Sequence, residues 1–406
     1  MKRKMKLSRR NFLSKVAAGT TGMVAFRWIA DGKETVIPDM FQQDEPQTQW
    51  KKTSDRIIRI GVVGGGFGAM FFWHQHPNCK VEAVSDLIPE RRKHLMEVYH
   101  CDKSYESLEK LVLDKNLDAV AVFTDAPSHG KHIVEVLKHG KHCITAVPLS
   151  MTLEDIENVK EWKEKTGLTL MMAETSMFHS DLYNAKKIYE KGMLGDIVYS
   201  EGEYYHPHVD TAWGYKGWRN AIPPMFYPTH ATAYYICVTR KRFTSVSCLG
   251  FRGKEPRYKN NNYNNPFSSE SALFETSEGG MSRINIFWGA DGIHGETGRL
   301  FGELGKFDQN VLYAGKGIGA KYEGIGDRKE IEFPDSRPPL PPGMGHGGHG
   351  GSHGYLTNEF IMSLVEERDP VVDLYEAIAL TAPGIVAHQS ALRNGERIKI
   401  PDFDKK

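Results

Sequence analysis

The sequence is poor in what several protein classes require. Its 406 residues include five cysteines (Cys79, Cys101, Cys143, Cys237 and Cys248), an odd number with no CxxC spacing. Neither a disulfide framework nor a thiolate zinc site is therefore indicated. Charge of one sign is also missing: 52 Lys plus Arg oppose 51 Asp plus Glu, for a net charge of +1. A general nucleic-acid binder needs a basic footprint, which this chain lacks. No apolar run reaches the roughly 18 to 20 residues of a membrane-spanning helix. No internal repeat is visible. Glycine, by contrast, is abundant at 40 residues, many of them in two clusters. With 40% hydrophobic and 11% aromatic residues, the chain has enough apolar material for two globular domains.

The first thirty residues read as an address. Lys2, Arg3, Lys4 and Lys6 precede Ser8-Arg9-Arg10-Asn11-Phe12-Leu13-Ser14-Lys15, which resembles a twin-arginine export signal. A weakly apolar stretch follows from Val16 to Ala30, interrupted by Arg27. This pattern implies a periplasmic or otherwise exported protein that uses the twin-arginine machinery. The alternative is a basic amphipathic arm. Residues 31–55 are polar and read as a linker, or as an arm lying on a neighbouring subunit.

Residues 56–174 alternate between strand and helix patterns, the rhythm of a doubly wound α/β domain. Arg56 to Val63 is a β-branched run. Gly64-Gly65-Gly66-Phe67-Gly68-Ala69 follows at once, then an apolar segment expected to be helical. In such a turn the first glycine permits the bend and the second lets a pyrophosphate approach the backbone; the last position needs a small residue. The amides opening the helix then face the phosphate charge. A second strand, Val81 to Val84, leads to Asp86, twenty residues after Gly66. An acid there suits the adenosine ribose diol and favours NAD over NADP. Arg91 and Arg92 either soften that preference or form a solvated helix start. Further strands end at Thr124, near Pro127 and His129, at Val147-Pro148, and at Glu174. Strand ends of this kind line the cofactor crevice.

Residues 175–406 change character to α+β, with a large, mostly antiparallel sheet. Strands are expected at 198–206, 243–252, 272–276 and 282–288, with Glu278-Gly279-Gly280 as a hairpin turn. Residues 260–265 read as a polar surface loop. Residues 355–367 form an amphipathic helix. The stretch 374–392 reads as a helix broken near Pro383-Gly384, after which the chain returns to the first domain.

Taken together, Gly64-x-Gly66, Asp86, Thr124 with Pro127-x-His129, and Gly140-Lys141-His142 running to Pro148 resemble the Gfo/Idh/MocA oxidoreductase superfamily. Ordinary members carry Glu-Lys-Pro where this chain has Ala146-Val147-Pro148, so the catalytic lysine is replaced by Val147. They also carry Asp four residues before a catalytic His, where this chain has Phe226 before His230. Those departures are shared with a subgroup: Tyr227-Pro228-Thr229-His230 resembles the signature of the NAD-dependent glycosidases, the α-N-acetylgalactosaminidase type. Met172-Ala173-Glu174, Glu203-Tyr204-Tyr205-His206, Trp218-Arg219 and Gly348-His349-Gly350-Gly351 are similar to that group's motifs. Ser352-His353, Pro207-His208 and Pro223-Pro224-Met225 depart from them, so the chain resembles a sister group and the sugar is not carried over.

The resemblance implies a tightly held, self-recycled NAD contacted by Gly64, Gly66, Phe67, Gly68, Asp86, Thr124, Pro127, His129, Val147 and Glu174. Glu174 would touch the nicotinamide ribose or cap a helix. It implies catalytic roles for Tyr227, His230, His206, Arg219 and His349. Tyr227 is the expected base, deprotonated through His230; the bland reading is a packed tyrosine and a satisfied core histidine. His206 and Arg219 would hold sugar hydroxyls or a carboxylate, with a surface ion pair as the alternative for Arg219. The His-rich segment 345–353 is expected to be a substrate loop, against a metal site or a solvated loop; no metal is assigned. A homo-oligomer is expected from the superfamily. The implied chemistry is transient oxidation at a sugar C3, loss of the C2 hydrogen with the C1 substituent, addition of water and return of the hydride. A sugar dehydrogenase or transhydrogenase, and a non-catalytic sugar or nucleotide binder, are the alternatives.

Overall fold

The computed structural model describes residues 26–30, 33–37, 49–292, 294–314 and 329–404. The chain divides into two compact units, residues 1–48 and 49–406. In the first, β1 (Phe26–Ala30) and β2 (Lys33–Ile37) form an antiparallel pair, with Phe26 opposite Ile37. That pair spans the end of the expected export signal and the start of the expected linker. Arg9 and Arg10 lie outside the described residues.

The second unit opens with a six-stranded parallel sheet. Its strands are β3 (Ile58–Val63), β4 (Cys79–Ser85), β5 (Ser104–Tyr105), β6 (Ala119–Val122), β7 (His142–Thr145) and β8 (Leu170–Met172). They run in the order β5-β4-β3-β6-β7-β8. Ile60, Val62 and every residue of β6 are buried, as expected for parallel strands covered on both faces. The covering helices are α1 (Pro89–Tyr99), α2 (Leu108–Leu111), α3 (His129–Lys138) and α4 (Leu153–Thr166). Strand order reverses between β3 and β6, and ligands of open α/β sheets bind at such a switch point. Gly64 lies there with φ +100°, and a Cβ on it would overlap the carbonyl of Phe123 at the end of β6.

The expected helix after the glycines is not formed. Phe67–Met70 makes one turn of 3-10 helix, and Trp73–Gln75 makes another. The cause is aromatic packing. Phe71 and Trp73 are buried and stack at 5.7 Å. Phe71 also stacks on His353, and Trp73 packs against Phe360, both on a C-terminal helix. Those contacts pin the segment to the second lobe before a regular helix can propagate.

After α5 (Ser180–Glu190) comes the large sheet. Its strands are β9 (Ile197–Tyr205), β10 (Phe243–Arg252), β11 (Phe267–Thr276), β12 (Met281–Phe287), β13 (Gly295–Gly302), β14 (Gly305–Asp308), β15 (Val311–Ala314), β16 (Lys329–Glu332) and β17 (Ile398–Lys399). The order is β16-β15-β14-β13-β9-β12-β11-β10-β17. All pairs are antiparallel except β9 with β12. The helix α6 (Thr229–Thr239) lies on this sheet with every residue buried. It sits so close that two strands need glycine beneath it. Gly202 and Gly298 face each other in the β9–β13 register. A Cβ on Gly202 would overlap the Ala231 carbonyl, and one on Gly298 would overlap the Tyr234 ring.

Two expectations about this lobe are corrected. Residues 374–392 form one continuous helix, α8 (Leu374–Leu392), with Pro383 inside it. Proline removes one helical hydrogen bond, but nearly the whole helix is buried and its packing on both lobes outweighs that loss. Gly384 allows the close approach of the Met225 carbonyl. The chain beyond α8 does not return to the first sheet; it ends as β17 on the edge of the second. It is α8 and its approach that touch the first lobe: Met172 donates its amide to Val372, and Leu149 to the Thr381 hydroxyl. The Asn-rich loop lies at the surface as expected, with Asn260, Asn262 and Asn264 exposed. Its last residue, Asn265, is fully buried, with its amide bonded to Ala221 and Phe267, which satisfies backbone groups where the loop enters the sheet.

Gly202→Ala should destabilise the protein by about 2 kcal/mol or more, as overpacking of a close helix–sheet contact does. The urea midpoint should fall accordingly, whereas alanine at the exposed turn residue Ser277, whose amide and hydroxyl bonds are peripheral, should cost less.

Candidate active site

The cofactor cradle forms at the switch point. Asp86 accepts the Gly65 amide at 2.6 Å and the Ile88 amide at 2.8 Å. Each carboxylate oxygen keeps a lone pair for ribose hydroxyls. The amides of Gly66 and Phe67 donate to no described residue, and a Cβ on Gly66 would meet nothing within 4 Å. Gly66 is thus not required by packing, which fits a backbone that a phosphate must approach. Gly68 is required by packing, since a Cβ there would crowd Phe123 and Val62. With only a 3-10 turn behind them, these amides act without the dipole of a full helix. Arg92 donates to the backbone carbonyl of Asp86 at 2.8 Å, so it supports the acid rather than standing free for a 2′-phosphate.

The other strand-end residues are placed around the same crevice. Thr124 pairs its hydroxyl with His132 at 2.9 Å. Pro127 belongs to the short turn Ala126–Ser128. His129 is buried, with its ring nitrogens against the carbonyls of Pro148 at 2.7 Å and Thr124 at 3.1 Å. It ties two strand ends together and has no nitrogen left for a ligand. Val147 is buried at the end of β7.

Glu174 ends the first sheet and does something the sequence reading did not foresee. It is fully buried and bonds His230 Nδ1 at 2.7 Å. Its other oxygen, Oε2, has no described partner. A second acid flanks the same imidazole: Glu296 of β13 lies 3.9 Å from His230 Nδ1 and accepts the Ser176 hydroxyl at 2.6 Å. His179 Nδ1 is 3.6 Å from Glu296. Burial opposes charge on His230, but Glu174 and Glu296 outweigh it and raise its pKa to about 10. Burial likewise opposes charge on Glu174, yet the imidazolium prevails and lowers its pKa to about 2. His230 is therefore a held cation at neutral pH. An imidazolium already carries both ring protons and has no place for one from Tyr227.

Tyr227 lies beside that cation, ring centroids 5.6 Å apart, with Tyr204 at 4.8 Å from His230. Neither phenol has a hydrogen-bond partner among the described residues. Burial and the neighbouring Tyr227 push the Tyr204 hydroxyl well up, so Tyr204 stays protonated. Phe226 occupies the place of the expected aspartate and packs on His388 and Tyr263 instead. Arg219 covers the Tyr227 ring at 5.2 Å. It forms no ion pair among the described residues, which removes the surface-pair reading. His206 ends β9 beside His294, ring centroids 5.0 Å apart, and its buried Nδ1 has no described partner. Burial first, then His294 and Arg219, keep it neutral by lowering its pKa.

The glycine-histidine segment is not a loose loop. Arg337 donates to the carbonyls of Phe178 at 2.9 Å and Gly350 at 2.7 Å. Gly345 donates to Gln75 at 2.8 Å. The segment then enters α7 (Ser352–Val365). His349 has φ +49°, rare for a side-chain-bearing residue. Its Nδ1 is 2.9 Å from His353 Nε2, and its ring edge meets Phe67 of the cradle at 5.8 Å. Burial lowers the pKa of both histidines, and the His230 charge pushes His349 further down. Among the described residues no group of three or more His, Cys, Asp or Glu side chains stands ready to hold a metal ion.

The structure thus brings Tyr227, His230, Arg219, His206 and His349 to one cleft next to the glycine cradle. Sequence reading missed Glu296, Ser176, His179 and Tyr204. Glu296 had no strand signal, because β13 carries three glycines in eight residues.

Comparison with known proteins follows the same lines. Residues 58–174 match the Gfo/Idh/MocA oxidoreductase family, NAD-binding Rossmann fold, and residues 343–406 match the glycosyl hydrolase 109 C-terminal domain. The chain therefore carries an NAD-binding domain of the Gfo/Idh/MocA type, and its last residues match the C-terminal domain model of glycosyl hydrolase 109. A glycosyl hydrolase family 109 protein of Bacteroides fragilis is 28% identical over 40% of this chain and 38% of its own length. With the first such relatives the match spans about two fifths of their length, 37–42%. A relative from Akkermansia muciniphila, also named glycosyl hydrolase family 109, is 24% identical over 86% of this chain and 83% of its own. Among solved structures, an oxidoreductase domain protein from Kribbella flavida has a TM-score of 0.69 at 16% identity, covering 86% of this chain and 100% of that one. Levoglucosan dehydrogenase with NADH and L-sorbose has a TM-score of 0.69 at 15% identity, covering 86% and 100%. These two show a shared fold.

Glu174→Gln should lower stability by about 3–5 kcal/mol near pH 6, because a buried charge loses its partner. The pH profile should change as well. In the native protein the His230 contribution is complete below its ordinary pKa of 6.5 and is lost as pH rises through about 10. The Glu174 contribution is complete above its ordinary 4.5 and is lost as pH falls through about 2. Urea titrations from pH 4 to 10 should show the alkaline decline flattened in the variant.

Proposed function

We propose that this protein is an exported, NAD-dependent enzyme that cleaves a glycoside without net oxidation, through transient oxidation of a ring hydroxyl at C3. Bound NAD would supply hydride acceptance and return, held at the backbone of Gly64–Gly68 and by Asp86. The proton chemistry falls to this chain. The C3 ketone acidifies the neighbouring C2 hydrogen. Loss of that hydrogen expels the C1 substituent, water adds, and the ketone is reduced back, so atoms and electrons balance over the cycle.

The observation that carries the reading is the buried Glu174–His230 pair, 2.7 Å apart, beside the Tyr227 ring. A steady dehydrogenase must pass each hydroxyl proton out of the site. Here the Tyr227 phenol neighbours an imidazolium that has no vacancy for a proton, and no described residue hydrogen-bonds that phenol. A proton taken by Tyr227 is best returned in the same turnover, which is what a redox-neutral cycle requires. His230 assists by charge, favouring enolate character developing beside it. Val147 and Phe226, which stand where lysine and aspartate occur in ordinary dehydrogenases of the resembled family, support the same view. The family 109 names of the relatives agree with it. The basic, twin-arginine start supports export. A cofactor that regenerates itself suits a compartment without a nicotinamide pool.

Turnover of glycosides in D₂O should place deuterium at C2 of the released sugar, with no net absorbance gain at 340 nm. Tyr227→Phe should reduce that turnover by about a hundredfold or more, the usual scale for losing a general base. NADH accumulating while the glycosidic bond stays intact would show a dehydrogenase instead.

A further inference from the structure

Arg219 is the unexplained cation of the cleft. Its guanidinium is clamped between two indoles, 4.1 Å from the Trp213 ring and 4.3 Å from Trp218. Its Nε is buried without a hydrogen-bond partner, and no carboxylate pairs with it among the described residues. By contrast Arg242 pairs with Glu376 and Asp404, Arg283 with Glu201 and Glu203, and Arg368 with Glu359. The acids beside His230 face that ring rather than Arg219: Glu174 bonds His230 and Glu296 takes Ser176. The two indoles fix the guanidinium and hold its charge without neutralising it. The buried, partnerless Nδ1 of His206 lies in the same field. A half-buried cation and an orphaned imidazole nitrogen are costly unless a ligand completes them. Neutral hydroxyls would satisfy the hydrogen bonds and leave the charge. An oxyanion would satisfy both, and the planar guanidinium fork is matched to one.

We propose that the sugar bound beside Tyr227 carries an anionic substituent, a carboxylate or a sulfate, held by Arg219 between Trp213 and Trp218 with His206 alongside. The assignment rests on the glycoside-binding reading above and names its substrate class. Trp213 is half exposed, so the clamp lies at the mouth of the cleft and can meet a substituent entering with the sugar. The charge would select for the acidic sugar, while the Tyr227–His230 chemistry is the same for any ring with a free C3 hydroxyl.

The test measures binding to the NAD-loaded protein by calorimetry. The probes are D-glucuronate, D-galacturonate and D-galactose 6-sulfate, set against D-glucose and D-galactose. At low salt the best acidic sugar should bind about tenfold or more tightly than its neutral counterpart, the scale of one charge-assisted bidentate contact. The gap should narrow as salt screens it. The rank of uronates against the sulfate decides which oxyanion the clamp takes. Arg219→Gln should erase the preference with NAD still bound; Arg219→Lys should restore part of it. Equal binding of neutral and acidic sugars, no binding of any acidic sugar, or a preference that survives Arg219→Gln would each overturn the proposal. So would a variant whose only defect is weaker NAD binding, since the guanidinium would then serve the cofactor. Turnover of neutral glycosides, with deuterium at C2, as fast as that of their acidic counterparts would sink this assignment and leave the redox-neutral reading standing.

Discussion

The arrangement depends on one buried ion pair. Glu174 stands at the carboxyl end of β8 in the first sheet, and His230 stands in the first turn of α6 on the second. The 2.7 Å bond between them joins the two lobes at the point where chemistry is expected. Such a pair gains little over apolar packing in net stability, because desolvation opposes the attraction. What it gives is position and charge. It fixes the imidazole ring, and with Glu296 also near Nδ1, at 3.9 Å, it favours the cationic ring in a dry place, where a charge acts strongly on its neighbours.

The rest of the site is built to let that pair form. Helix α6 must lie nearly on the sheet for His230 to reach Glu174, and the facing glycines at 202 and 298 make the room. The aromatic stack of Phe71, Trp73 and Phe360 carries the cradle segment to α7, which is preceded by His349. The cofactor turn, the imidazolium and the histidine segment are thus set by packing from both lobes. A site assembled this way has few loose parts, so its groups need little reorganisation during a reaction.

Much of this was legible in the sequence, for physical reasons. The strand–glycine–strand spacing fixed Gly64, Gly66 and Asp86, because a tight turn and a phosphate approach admit few residues. The parallel strands were legible as buried β-branched runs. The Tyr227-Pro228-Thr229-His230 motif located the cleft. Other features could not be read locally. The ionisation of His230 depends on two acids 56 residues before it and 66 after it, and no periodicity links them. Strand β13 is masked by its three glycines, of which Gly298 makes room for α6. The helix after Gly68 fails because of aromatic contacts with α7, nearly three hundred residues later. Pro383 signals a break that long-range burial overrides, and Asn265 reads as surface because its partners, Ala221 and Phe267, are set by the tertiary turn.

The central claim is that the Glu174–His230 pair keeps the imidazole protonated at neutral pH, and that Tyr227 is the group proposed to take and return the proton. Nitrogen-15 NMR of ring-labelled histidine, assigned through a His230→Gln variant, reads this directly. The account predicts that both ring nitrogens of His230 carry protons and stay unchanged from pH 6 to pH 8.5. A His230 signal that titrates near 6.5, or that shows one bare nitrogen at pH 7, would contradict it and return the histidine to the role of base.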